Sequence, residues 1–181
     1  MKKKIVFLSA GHSNKDSGAV SKTGVKESDL VTKFRNAVAH YLSQHNDIHL
    51  RLDGWGNTNL PLSEAVKLIY GSDVAIEFHM NAAASEQANG VESISLVKDK
   101  EISKQLSKVV SDAFESRLRG DNGWIDQSKS ARGRLAYVSK GGIILELAFI
   151  SNPKELAKFE DKYWVAAKAV AEVILNYVRS K

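Results

Sequence analysis

Ile5-Val6-Phe7-Leu8-Ser9-Ala10-Gly11-His12 is the stretch on which the fold reading turns. A short apolar run with β-branched members suits a strand buried on both faces, as in parallel sheets. This run breaks off into a glycine and a histidine. Two further runs end on a polar group in the same way: Val74-Ala75-Ile76 ahead of His79, and Ile143-Ile144-Leu145 ahead of Glu146. Residues 48–52 and 91–97 alternate more and predict a fourth and fifth strand, and residues 134–138 predict a sixth. Helical spacing falls between them. It is carried by Leu30, Phe34, Val38, Tyr41 and Leu42, by residues 62–70 after Pro61, by residues 102–118, and by Val170, Val173, Ile174, Tyr177 and Val178. The order is strand, helix, strand, helix, strand, strand, helix, strand, strand, helix. It predicts a single α/β domain over residues 1–181, with a mostly parallel twisted sheet of about six strands and helices on both faces. In such sheets ligands bind at the carboxyl ends of the strands. His12, His79 and Glu146 all fall at or near such ends.

Composition narrows the function. Hydrophobic residues at 43% and charged residues at 26% describe a globular chain, not a disordered one. There is no cysteine, so a metal site has to be built from His, Asp or Glu. The net charge of +5 favours polyanionic partners. The lysines and arginines are scattered, however, and no dense basic run interleaved with aromatics marks a nucleic-acid face. The opening MKKKIVFLSAGHS imitates a secretion signal, but its apolar run is too short for one. No segment approaches the roughly 20 apolar residues of a membrane span. The expectation is a monomer without a signal peptide, held in the cytoplasm of the producing cell and not inserted in a membrane.

Catalytic zinc takes three protein ligands from His or carboxylate and leaves a position for water. His12 and His79 offer two donors, and Glu27, just before the first helix, could swing in beside them. Glu146 would stay outside the set as an acid/base. Each residue has a plainer reading. A histidine after a strand caps backbone groups, and a Glu at a helix start favours the helix dipole. Glu146 is harder to set aside, because an unpaired carboxylate in an apolar strand is costly. No compact HExxH is present, so the residues by themselves suggest a His/His/Glu metal site and go no further.

The ordered motifs go further. FLSAGHSNKDSGA at 7–19, GVKESDL at 24–30, AIEFHMNA at 75–82, Gly90-Val91-Glu92, and ILELAFISNP at 144–153 span nearly the whole chain. In this order they resemble the zinc-dependent N-acetylmuramoyl-L-alanine amidases of the Amidase_3 family, phage endolysin members above all. The resemblance implies that His12, Glu27 and His79 bind Zn2+ and that Glu146 is the catalytic carboxylate. It implies peptidoglycan as substrate, cut at the amide between the lactyl group of N-acetylmuramic acid and the first L-alanine. It implies an endolysin that reaches the cell wall after the membrane is breached. The family pattern is departed from in three places: Ser9-Ala10 replaces Asp-Pro, Ser13 and Asn14 follow His12 where Gly-His-Gly-Gly versions have a second glycine, and Ala65 replaces an arginine. None of them removes a ligand.

Two other function classes stand beside this one. A non-catalytic metal-containing wall-binding module would not need Glu146. A Rossmann-like nucleotide binder would need GxGxxG after the first strand, where GHSNKDSG stands instead. Trp55, Trp124, Arg132 and Arg134 are candidate substrate contacts, and loop packing or solvated surface is their plainer role. Glu77 shares a strand face with His79 and needs a partner. The expected partner is the second ring nitrogen of a metal-binding histidine, His12 in the first instance.

Overall fold

The computed structural model describes residues 3–131 and 133–181. Six strands form one sheet: β1 (Lys4–Ala10), β2 (Ile48–Leu52), β3 (Val74–Asn81), β4 (Glu92–Ser95), β5 (Trp124–Asp126) and β6 (Ile143–Phe149). Their spatial order is β2-β1-β3-β6-β4-β5. The first four run parallel, and β4 lies antiparallel to β6 with β5 parallel to β4. The helices are α1 (Glu27–Leu42), α2 (Leu62–Ala65, continued by a 3-10 turn at Val66–Ile69), α3 (Lys100–Phe114), α4 (Ala136–Ser139) and α5 (Pro153–Arg179).

The two faces of the sheet are unequal. Alternate residues Val6, Leu8, Ile76, Phe78, Leu145 and Leu147 are buried in one cluster with apolar residues of α1, α3 and α5. Phe34 of α1 meets Phe78 edge-on at 5.0 Å. The opposite face holds a smaller cluster, in which Phe7, Ala75, Ile94 and Ile144 meet Ala65, Ile69, Tyr137 and Val138 from the short α2 and α4 segments. Burial on both faces is why β1, β3 and β6 read as continuous apolar runs.

The predicted fold class holds, with corrections at element level. Residues 134–138 are not a strand: α4 occupies Ala136–Ser139, and the remaining strand is instead β5, Trp124–Asp126, a segment for which the sequence carries no strand expectation. An apolar run as short as Leu135 to Val138 fits either period. Here it caps the thinly covered face with one helical turn, the Ser139 N–H donating to the Leu135 carbonyl at 2.9 Å. β5 has three residues and is ordered by its ladder with β4, too short a segment for any periodicity. β4 is shorter than expected, because Val97–Asp99 turns into a 3-10 segment. α3 stops at Phe114, since Glu115 takes a left-handed conformation at φ 48°. α5 begins at Pro153, well before its apolar stripe, where the Asn152 side chain accepts from the Lys154 and Glu155 N–H groups.

Candidate active site

The chain leaves β1 through α1 to β2 on one side, then returns through α2 to β3 on the other. The crevice at the carboxyl ends of β1 and β3 is therefore a topological switch point, where open α/β sheets bind ligands. His12 lies just beyond β1 and His79 near the end of β3. The Gly11 N–H donates to the Phe78 carbonyl at 2.8 Å, which closes the crevice floor. A Cβ on Gly11 would stand 2.3 Å from the His79 ring, so only glycine lets the histidine lie across the strand end. Gly18 is tied in the same way: at φ 63°, its Cβ would meet Glu27 Oε2 and the His12 ring at 2.6 Å.

Glu27 opens α1 and is buried. One carboxylate oxygen lies 3.0 Å from His12 Nε2, and the other lies 3.0 Å from His79 Nδ1. The Ala19 and Met80 N–H groups each donate to one of these oxygens at 2.9 Å. One donor atom from each of His12, Glu27 and His79 falls within 4.8 Å of the others. Each ring nitrogen facing away from Glu27 also meets a carboxylate. His12 Nδ1 lies 2.9 Å from Asp16 Oδ2, and His79 Nε2 lies 3.1 Å from Glu77 Oε2. Carboxylates in that position fix the tautomer and ring orientation of metal-binding histidines.

Glu77 therefore does contact a histidine of the set, but it is His79 of its own strand and not His12. Two residues apart on a strand point to one face, so the Glu77 carboxylate reaches the His79 ring directly. Asp16 holds His12 instead. Sequence reading missed Asp16 because its reach depends on the loop fold. The one available signal was a carboxylate four residues after His12, in a turn closed by the bridge between Ser13 and Asp16.

Burial alone would lower both histidine pKa values. Hydrogen bonding to Glu27 overrides it, helped by Asp16 for His12 and by Glu77 for His79, so both are raised, His79 strongly. Burial alone would raise Glu27. The two histidines outweigh it and hold the carboxyl well below the usual range. The cluster thus attracts one shared cation between Glu27 and the two rings, either protons or a metal ion. Two imidazoles and a carboxylate suit a zinc-type ion with one position left for water.

Glu146 sits on β6 directly beside His79 and opposite Glu92 of β4. It is buried and lies outside the His/Glu/His set. Glu92 is held by Asn81 at 3.1 Å and by Arg119 at 2.5 Å. Two hollows flank the histidines. One of about 310 Å³ is lined by His12, Asp16, Leu60, Leu62, Glu77 and His79. The other, of about 140 Å³, is lined by Leu62, Glu77, His79, Ile94, Tyr137 and Glu146 among others.

Residues 6–176 match the Amidase_3 family, described as N-acetylmuramoyl-L-alanine amidase. The chain belongs to this amidase family. A solved Neisseria meningitidis protein assigned as such an amidase is 44% identical, with TM-score 0.87 over 94% of this chain and 93% of that one. The catalytic domain of the amidase CwlV of Bacillus (Paenibacillus) polymyxa var. colistinus is 26% identical, with TM-score 0.84 over 98% and 99%. The germination-specific N-acetylmuramoyl-L-alanine amidase of Bacillus subtilis is 27% identical, covering 98% of this chain and 81% of that protein. The endolysin of Bacillus phage SPP1 is 29% identical, covering 85% of this chain and 58% of its own length.

Of the expected substrate contacts on this amidase domain, Trp124 belongs to β5. Its Nε1–H donates to Ser95 Oγ at 2.9 Å and its ring lies 4.8 Å from Lys100 Nζ, a packing role. Trp55 is 74% exposed on the 53–60 loop and is free to meet a ligand. Arg134 donates to Ser139 Oγ at 3.2 Å, and Arg132 lies outside the described residues.

Proposed function

We propose that the protein is a zinc-dependent hydrolase of peptidoglycan, cutting the amide between the lactyl group of N-acetylmuramic acid and the first L-alanine. His12, Glu27 and His79 hold the ion, and Glu146 moves the proton. The observation that carries this reading is the division of the carboxylates. Glu27 converges with both histidines, while Glu146 stands on the next strand, beside the set and not in it. A bound zinc ion supplies an acidified water and polarises the amide carbonyl. The chain does the rest. Asp16 and Glu77 keep the two rings oriented. Glu146 accepts a proton from the attacking water and returns it to the alanine nitrogen, without which an amine is a poor leaving group. Peptidoglycan digested by the purified, zinc-loaded protein should release stem peptides with free L-alanine amino termini in mass spectra. Release of sugar reducing ends alone would rule the reaction out.

The cellular role we infer is lysis from within, with the protein in the cytoplasm until the membrane is breached. Relation to the SPP1 endolysin supports this role. Wall remodelling is the second reading, and relation to the germination-specific amidase across 98% of the chain favours it. Expression inside bacteria followed by membrane permeabilisation separates the two: prompt lysis of growing cells fits the first, and activity restricted to isolated spore cortex fits the second.

A further inference from the structure

His12 stands out among the three donors because its own backbone is strained. Its φ is 70°, in the left-handed region that residues with a Cβ enter rarely. Such a residue persists only where its surroundings hold it. The turn that carries it is gripped by Asn59, from a loop 47 residues away. Asn59 Nδ2 donates to the Ala10 carbonyl at 2.5 Å and to the His12 carbonyl at 2.8 Å. The Asn59 backbone N–H donates to Asn14 Oδ1 at 2.7 Å. The residue is thus tied before, at and after the strained position.

Asn59 is itself oriented. Arg35 Nη1 donates to Asn59 Oδ1 at 3.0 Å and to Asp53 Oδ1 at 2.7 Å. Arg35 is fully buried, and its Nη2 also donates to the Gly56 and Thr58 carbonyls at 3.3 and 3.2 Å. Turning the Asn59 amide over would set its oxygen against two carbonyl oxygens and its NH2 against a guanidinium. Only one orientation satisfies every group.

We propose that Asn59 is a positioning residue for His12. Oriented by Arg35, it clamps the left-handed turn so that His12 Nε2 faces Glu27. The inference rests on the reading of His12 as a metal ligand.

Asn59→Asp keeps the size and the acceptor toward Arg35, but it points an oxygen at two carbonyls. Zinc affinity of this variant should fall about 10–100-fold, the range for losing a group that orients a ligand. The visible spectrum of the cobalt-substituted protein should change as well, because it reports donor geometry. A merely structural role would lower the melting temperature and leave affinity and spectrum as in the parent, and that result overturns the proposal. Asn59→Ser, which introduces no charge, is read in the same way if the Asp variant does not fold. His12→Ala is the control. If it keeps the parent's zinc affinity, the metal reading itself fails; if it loses zinc while the Asn59 variants do not, only the present inference fails.

Discussion

At the scale of single residues the proposed site separates holding from reacting. Glu146→Gln should retain zinc and fold while losing about 10²–10⁴-fold in turnover, the usual contribution of a positioned acid/base. Metal analysis and rate together check it, and near-normal hydrolysis would reassign the proton carrier. Glu77→Gln should cost about 10–100-fold in zinc affinity or rate, acting through His79 and leaving His12 untouched; a zinc titration with unchanged affinity would place Glu77 outside the site. Protons compete for the same cluster. In the metal-free protein the raised histidines add stability that is fully present below 6.5 and fades as pH rises through their shifted values. The depressed Glu27 adds stability present above 4.5 and lost only as pH falls through its own shifted value. Zinc must displace the histidine protons, so its apparent affinity should rise with pH through neutrality. Calorimetric titration at pH 7 in buffers of different ionisation heat should show proton release on zinc uptake, and identical heats in every buffer would contradict it.

Elements set how closely these residues can approach. The Gly11 position lets β1 end against the His79 ring, so Gly11→Ala should cost about 1–3 kcal/mol as an overpacked site and weaken zinc binding with it. Denaturant unfolding and zinc titration measure the two effects, and an Ala variant with parental zinc affinity would mean that the ring slides aside freely. The same elements show what a sequence discloses. β1, β3 and β6 were legible because burial on both faces writes an unbroken apolar run, and their polar endings located His12, His79 and Glu146. Glu27 was visible as a possible third donor before the first helix, but a Glu at a helix start also has an ordinary use, and the family motif singled it out. β5 and α4 were misread because three or four residues carry no period. Asp16, Asn59 and Arg35 were missed for another reason. Their contacts depend on where two loops fold back, which no spacing along the chain encodes.

For the whole molecule, the proposed zinc would bind the native state and not the unfolded chain. At free zinc about 100 times the dissociation constant it adds about 2.7 kcal/mol, which for a chain of this size raises the melting temperature by roughly 5–10 °C. Scanning calorimetry with and without chelator should show that shift, and His12→Ala should abolish it. A chelator-insensitive melting point in the parent would argue that the cluster is an ion-pair network only. The unequal faces of the sheet are consistent with this placement: α1, α3 and α5 build the larger core, and the side chains around Glu77, His79 and Glu146 lie on the side covered by short segments that leave hollows beside them.

The strand order has a consequence for biosynthesis. Glu27 and His79 are 52 residues apart, and β6 enters the sheet only after β4 and β5 have been made. A nascent chain still short of residue 79 lacks one of the three proposed ion donors whatever its shape. One short of residue 146 can own all three and still lack the proposed proton carrier. Translation therefore supplies the three donors before the carboxylate of β6, and all of them before α5, whose Phe159 and Val170 share a core with Phe34 of α1; the site can close only once that last helix has packed.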